Sequence, residues 1–177
     1  MRFAARLLPA SSLVAAALAI STACSPSDTK AADTHAVSAT SAFGTHFTTA
    51  DFAHLRWLAG DWRATAQGMK PSYERYAPID DSTMRWRAFV DSTFTRQKDS
   101  ATIALRGGRI ADQGSGTPWF ATTVDTNRVN FGSQESPANH FIWLRTSANS
   151  WTAHVFTTDK AGVEARALFQ LERMNGK

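Results

Sequence analysis

The chain of 177 residues contains a single cysteine, Cys24. Because a disulfide needs two cysteines, a folded domain in this chain must be stabilised by its hydrophobic core and not by internal cross-links. The paired-cysteine ligand sets of structural zinc sites are excluded for the same reason, and no His-x-x-x-His spacing replaces them. We therefore predict neither a metal site nor a bound cofactor.

Patterns typical of catalytic centres are also missing. Serine and threonine are common, but no serine stands in a Gly-x-Ser-x-Gly nucleophile elbow. The segment Gly114-Ser115-Gly116 has the composition of a loop and lacks the spacing of a phosphate-binding loop. On these grounds we predict that the protein is not an enzyme.

A strong excess of charge of one sign is absent as well. Lys and Arg together number 19 and Asp and Glu together number 15, which gives a formal charge of +4. Arg2 and Arg6 belong to an N-terminal leader, and without them 17 basic residues face 15 acidic ones, a charge of +2. A charge this small, spread along the chain, gives no reason to expect a nucleic acid partner.

The leader, residues 1–23, has the layout of a secretory signal peptide. Arg2 and Arg6 form a short positive region, residues 7–20 are largely apolar, and small residues at 21–23 precede Cys24. The apolar part is too short for a comfortable transmembrane helix, so it predicts export and not a membrane span. The ending resembles a bacterial lipobox. This resemblance implies a lipid on Cys24 that holds the exported protein at a membrane.

The lipobox resemblance leaves one alternative open. The position three before the cysteine usually holds Leu or another aliphatic residue, and here it is Ser21. Ordinary cleavage near Ala23 would instead release a soluble periplasmic protein. If Cys24 is lipidated, the residue after it, Ser25 and not Asp, favours the periplasmic side of the outer membrane.

Two segments follow the leader. Residues 24–47 are rich in Ser, Thr, Ala and Asp and contain few large apolar side chains, so they predict a lipidated Cys24 followed by a disordered linker. Residues 48–177 are long enough for one domain with a substantial core.

The patterning of residues 48–177 predicts an all-β fold that begins with a short helix. Phe52, Leu55 and Leu58 recur at helical spacing, with capping side chains before them and Gly60 after them. Short runs rich in β-branched and aromatic residues then alternate with turn residues. We predict a single antiparallel up-and-down β-barrel of about 8–10 strands, because a long meander hides its edges by closing. The predicted strands are 61–67, 72–78, 83–92, 100–106, 109–113, 118–125, 128–134, 140–146, 151–157 and 163–173.

The start of the predicted barrel carries a recognisable phrase, Trp57-Leu58-Ala59-Gly60-Asp61-Trp62. A Gly-x-Trp at the entry to the first strand, after a short helix, is similar to the calycin superfamily of lipocalins, fatty-acid-binding proteins and their relatives. The resemblance implies that Gly60 permits a tight turn and that Trp62 covers the narrow end of the barrel. In lipocalins a basic residue near the last strand packs across this tryptophan. Here Arg173 or Arg166 would do so.

A narrower resemblance is to an uncharacterised group of bacterial exported domains with a Trp-Leu-x-Gly-x-Trp opening. In that group a Glu-x-aromatic-x-Pro stretch leads to a methionine, and this chain has Glu74-Arg75-Tyr76-Ala77-Pro78 followed by Met84. Residues 135–141 are similar to the group's Asn-Pro-x-His-Asp-Phe-Pro segment but lack its Asp and second Pro. The resemblance implies a fold and brings no established activity.

The strand 83–92 supplies the candidate binding wall. Alternation places Met84, Trp86, Ala88 and Val90 on one face, and an apolar face of this kind suits a small hydrophobic or amphipathic ligand. Trp143 would extend the wall, and Arg87 or Tyr73 would supply an orienting polar group. The alternative is that this face is simply packed core.

Small side chains at predicted inward positions favour an open interior, and they are Ala64, Ala66, Ala88, Ala121, Ala153 and Ala167. A barrel filled by its own side chains would need more Leu and Ile. An interior cavity of a few hundred Å³ would therefore favour a ligand-binding barrel. A filled barrel would favour a non-catalytic interaction or structural module of the cell envelope.

His154 raises a further alternative. The chain is similar in its predicted fold to the haem-binding nitrobindins, in which a histidine of a late strand ligates iron. That resemblance implies a haem-binding role only if His154 points into the barrel. The segment 63–67 lacks the glycine-rich phrase that nitrobindins carry after their Gly-x-Trp.

Overall fold

The computed structural model describes residues 46–114, 116–159 and 161–174. The predicted signal peptide, Cys24 and nearly all of the predicted linker lie outside the described residues. The described chain begins with α1 (Thr49–Ala53), which continues into a 3-10 helix (His54–Leu58). Thr48 caps α1 in a capping box with Asp51. Neither helix in the described ranges is long and apolar enough to cross a membrane.

Ten strands follow, and they close into one antiparallel barrel. Each strand pairs with its neighbours in sequence, and the first pairs with the last to complete the ring. This topology confirms the predicted all-β up-and-down barrel preceded by a short helix. The strands are β1 (Gly60–Thr65), β2 (Ser72–Pro78), β3 (Thr83–Phe89), β4 (Gln97–Arg106), β5 (Arg109–Gln113), β6 (Trp119–Val124), β7 (Arg128–Ser133), β8 (His140–Arg145), β9 (Ser150–Thr158) and β10 (Glu164–Arg173).

Short hairpins connect several consecutive strands, and the sequence accounts for the tightest of them. Gly107 and Gly108 join β4 to β5 with positive φ values of 56° and 75°. Two consecutive residues of positive φ match a type I′ turn, whose twist agrees with that of the flanking strands. These two glycines are the link between the predicted strands 100–106 and 109–113, and the pairing of β4 with β5 confirms that the two strands form a hairpin.

One end of the barrel is closed by the N-terminal helices, and we call it the closed end. Here β1 begins at Gly60 and β10 ends at Arg173. Leu55 and Leu58 of the 3-10 helix are fully buried in the same core as the barrel interior. The Trp62 indole Nε1 donates a hydrogen bond to the Leu58 carbonyl at 2.7 Å. The helical segment thus acts as a fixed plug.

The opposite end, which we call the mouth, is where β1 ends at Thr65 and β10 begins at Glu164. Ala66 and Ala167 pack against the core here but are only partly buried. Several other inward positions in this half carry small side chains, among them Ala64, Ala88, Ala101 and Ala121. Free space is therefore expected at the mouth and not at the closed end.

The inward face of β3 agrees with the sequence prediction over three of its four members. Met84, Trp86 and Ala88 are buried, whereas Val90 is 44% exposed. The pairing of β3 with β4 shifts register between Ala88 and Phe89, and β3 ends there. Because a bulge breaks the alternation of faces, the prediction for Val90 was wrong.

Candidate ligand-binding site

The floor of the barrel is built around Trp62. The Arg173 guanidinium lies over the Trp62 ring, 4.3 Å from its centroid. It also donates hydrogen bonds to the carbonyls of Ala59 at 2.7 Å and Trp57 at 3.1 Å. Arg173 therefore makes the cross-barrel contact that the resemblance implied. The other candidate, Arg166, lies instead over the Phe156 ring.

Above this floor, aromatic side chains fill the closed half of the barrel. Trp143 is 1% exposed and contacts Tyr76, Phe131 and Trp151 with ring centroids 5.1 to 6.0 Å apart. Met84 is fully buried in the same cluster. The structure thus brings Met84, Trp86 and Trp143 together inside the barrel, where they form packed interior. An open wall is not formed at this depth.

The opening of the barrel is on the side of β1 and β10. Only the last four residues of β10, from Gln170 onwards, pair with β1, because β1 ends at Thr65. Residues 164–169 pair with β9 alone. The resulting gap holds a cavity of about 650 Å³, lined by Thr65, Ala66, Gln67, Met69, Arg166, Ala167, Leu168 and Gln170. This volume is in the range of small-molecule sites.

A buried carboxyl lies on β2, at an inward position directly paired with Trp62 and Ala88. Glu74 is 0% exposed, and its Oε2 accepts hydrogen bonds of 2.9 Å from the Tyr76 hydroxyl and from the Trp86 indole. Its Oε1 is buried and has no hydrogen-bond partner. A buried polar atom left in this state costs about 1–3 kcal/mol of folding free energy.

Electrostatics at this carboxyl favour its neutral form. Burial raises the pKa of Glu74 above its ordinary value, against the two hydrogen bonds, which lower it, and the nearby Asp112 raises it further. Burial also raises the pKa of Tyr76, with the Glu74 charge as the next cause. The interior therefore contains a carboxylic acid that can donate a hydrogen bond or ionise when a cation approaches.

The remaining predicted site residues lie outside the barrel. Tyr73 pairs with Phe89 on the outer face of β2 and packs edge-on against Phe94 at 6.1 Å. Arg87 alternates with the inward Trp86 and so faces outwards, where it cannot orient an interior ligand. These two positions have the wrong parity for an inward side chain.

His154 also lies on the outer face. It alternates with the buried residues Ala153 and Val155 along β9, and its Nε2 lies 3.2 Å from the Thr152 hydroxyl. The haem-binding alternative required this histidine to point into the barrel, so its placement contradicts that alternative. Among the described residues, no group of three or more His, Cys, Asp or Glu side chains is arranged to hold a metal ion.

Sequence reasoning missed Glu74 and most of the cavity lining. A signal for Glu74 was present, because it alternates with Arg75 and shares its parity with Tyr76, so one of the two faces of β2 had to bury a charged residue. The cavity had a weaker signal. Ala66 and Ala167 stood among the predicted small inward residues, but nothing in the sequence indicated that β1 stops before β10 does.

Comparisons with known proteins add little to this geometry. No family model matches the chain, and no curated protein matches it. Among solved structures, a redesigned beta barrel is similar with a TM-score of 0.35 and 12% identity, over 69% of this chain and 96% of that one. A second, EF1p2_mFAP2b bound to DFHBI, is similar with a TM-score of 0.35 and 13% identity, over 70% of this chain and 98% of that one. At these TM-scores neither likeness carries an argument about function.

Proposed function

We propose that the protein is an exported, lipid-anchored barrel that binds a small hydrophobic or amphipathic molecule at its mouth. The observation that carries the proposal is the 650 Å³ cavity at the gap between β1 and β10. Ala66, Met69, Ala167 and Leu168 supply its apolar lining, and Thr65, Gln67, Arg166 and Gln170 supply its polar lining. Small-molecule sites characteristically combine an apolar lining with a few polar groups.

The barrel is filled in its closed half and less tightly filled in its mouth half. Aromatic packing around Trp143 and Trp151 leaves no room for a ligand in the closed half. The mouth half has small inward side chains and a break in its wall. A filled envelope module needs neither feature, so we favour binding without catalysis over a purely structural role.

Ligand binding at the mouth can be tested by filling the cavity with a larger side chain. In the unlipidated chain that begins at Ser25, we expect Ala167→Phe to weaken binding of the neutral fluorescent probe N-phenyl-1-naphthylamine by about tenfold or more, because the new ring occupies the cavity. Fluorescence titration measures the affinity. Native mass spectrometry of the protein from its own host would identify co-purified molecules.

Ala77→Phe, on the outer face of β2 near the closed end, is the matched control for that experiment. It adds the same ring away from the cavity and should leave the affinity unchanged. If the wild-type protein retains no small molecule and binds no apolar probe, the binding proposal is wrong.

The anchor is tested separately, and it follows from the sequence of residues 1–24 alone. We expect Cys24→Ser to move the protein from the membrane fraction to the soluble periplasmic fraction and to abolish incorporation of radiolabelled palmitate. Cleavage near Ala23 without lipidation would instead give a soluble, unlabelled wild-type protein. That result would favour the periplasmic alternative.

A further inference from the structure

The outer face of the first three strands is rich in arginine. The buried members of these strands, such as Ala64, Glu74 and Trp86, point into the barrel, so the residues that alternate with them face outwards. The charged side chains at outward positions of β1 to β3 are Asp61, Arg63, Arg75, Arg85 and Arg87, and we call this surface the arginine face. Four cations and one carboxylate give it a formal charge of +3.

The register of the strands brings these arginines together. Arg75 and Arg87 are direct partners in the pairing of β2 with β3, and Arg85 lies two residues along β3 from Arg87. Directly opposed side chains have Cβ atoms about 5 Å apart, and residues two apart on a strand are separated by about 7 Å. Like charges in directly opposed positions destabilise a sheet. An anion that contacts both guanidinium groups would offset that cost.

Within the described residues, Arg75 is the arginine of this face that has an ion pair. Its Nη2 donates to Asp61 Oδ2 at 2.7 Å, and its guanidinium lies 5.0 Å from the ring centroid of Phe94. Arg85 is exposed and Arg87 is half-buried, and neither makes an ion pair or a side-chain hydrogen bond with another described residue. The two arginines of β3 are therefore free to bind an anion.

The acidic side chains that border the face are engaged or lie at its edge. Asp80 and Asp91 accept hydrogen bonds within their own turns. Asp81 lies 2.8 Å from an arginine of the 3-10 helix. Glu172 of β10 is the direct partner of Arg63 and offsets the charge of that arginine. The unbalanced positive charge is therefore concentrated in the arginines of β3.

The neighbouring strand adds hydroxyl groups to this surface. Ser100 and Thr102 of β4 are the direct partners of Arg87 and Arg85 and share their outer face. Guanidinium and hydroxyl groups both donate hydrogen bonds to the oxygen atoms of phosphate. The outer wall of a barrel is convex, so it suits a partner that presents many phosphates over a surface better than a small ion that must be enclosed.

The chain enters the domain beside this surface. The amide of Phe47 donates to the carbonyl of Gly108 at 2.7 Å, in the turn that joins β4 to β5. Residues 25–45, which connect Cys24 to the described chain, span at most about 70 Å when fully extended. A lipid on Cys24 would therefore hold the arginine face at a high effective concentration next to the membrane.

We propose that the arginine face binds a membrane surface that carries anionic phosphate headgroups. Each arginine close to such a surface strengthens binding by about fivefold. This contact is separate from ligand binding at the mouth, and it orients the anchored barrel. In that orientation the outer side of β1 lies against the lipid headgroups.

The test uses the unlipidated chain that begins at Ser25, so that binding depends on the domain and not on the anchor. At low salt we expect it to co-sediment with vesicles of phosphatidylcholine and phosphatidylglycerol and not with vesicles of phosphatidylcholine alone. High salt should release it. Arg85→Gln should weaken vesicle binding by about fivefold, and the double variant Arg85→Gln with Arg87→Gln by about thirtyfold.

Arg128→Gln is the matched control, because it removes one exposed arginine from β7, away from the arginine face. It should leave vesicle binding unchanged, and urea denaturation checks that every variant is folded. If Arg128→Gln weakens binding as much as Arg85→Gln does, or if the two kinds of vesicle bind equally or not at all, the membrane proposal is wrong. Binding to heparin without binding to vesicles would identify a soluble polyanion and overturn it. The ligand cavity is tested separately by the fluorescent probe.

Discussion

Replacing Gly60 with alanine is expected to lower the free energy of unfolding by about 3 kcal/mol. Gly60 has a φ of 130°, a conformation that side chains strongly disfavour, and a Cβ there would collide with Nη1 of Arg173. Moving the guanidinium would break its hydrogen bonds to Ala59 and Trp57 and its contact with the Trp62 ring. Urea denaturation followed by tryptophan fluorescence measures the loss.

Gly68→Ala is the control for backbone strain alone. Gly68 also has a positive φ, 73°, but a Cβ there would meet no atom within 4 Å. We expect Gly68→Ala to lower the free energy of unfolding by about 1 kcal/mol. Because Gly60 acts partly through Arg173, the double variant Gly60→Ala with Arg173→Ala should cost less than the sum of the two single variants. Equal costs for Gly60→Ala and Gly68→Ala would contradict the role assigned to Arg173.

Replacing Glu74 with glutamine is expected to stabilise the protein increasingly as the pH rises. Burial raises the pKa of Glu74 above its ordinary value of 4.5, so the unfolded chain ionises at a lower pH than the folded protein does. Above that ordinary value the wild type loses up to about 1.4 kcal/mol of stability per pH unit, until the folded pKa is passed. Glutamine has no such dependence and can still accept from Trp86 and Tyr76.

Urea denaturation between pH 4 and pH 8 measures this difference. The two proteins should be similar near pH 4 and diverge above it, with the variant the more stable. Glu172→Gln, on the exposed face of β10, should follow the wild type throughout. A stability difference that does not change with pH would show that Glu74 has the same pKa in the folded and unfolded states.

Much of the fold could be predicted from local patterns. All ten predicted strands are present, with ends that differ by a few residues, because β-branched and aromatic runs between turn residues determine strands locally. The capping residues before Phe52 were predicted, and the Gly107-Gly108 turn joins two predicted strands; both act within a few residues of chain. The fold of the barrel floor followed from a resemblance, which offered Arg173 and Arg166 as equal candidates.

The candidate site was harder to predict, because strand register and partners distant in the sequence decide whether each side chain faces into the barrel. Tyr73 and Arg87 have polar groups suited to a ligand, but a shift of one residue along a strand moves a side chain to the opposite face. Val90 was predicted to face inwards from the alternation of β3, but the register shift between Ala88 and Phe89 breaks that alternation. His154 lies in a late strand, as the resemblance to nitrobindins implied, but its position in the alternation of β9 places it on the outer face.

The sequence by itself determined the number and order of the strands and the helical segment before them, since each of these depends on residues that are close together in the chain. The lipid anchor that we propose at Cys24 rests on the sequence alone. Only the tertiary structure decided where the barrel is open. Whether β1 covers β10 along its whole length depends on the register of two strands about 100 residues apart, and that register is fixed by the packing of the closed barrel. The same closure buries Glu74 beside Trp86, a contact across the pairing of β2 with β3 that no local pattern specifies.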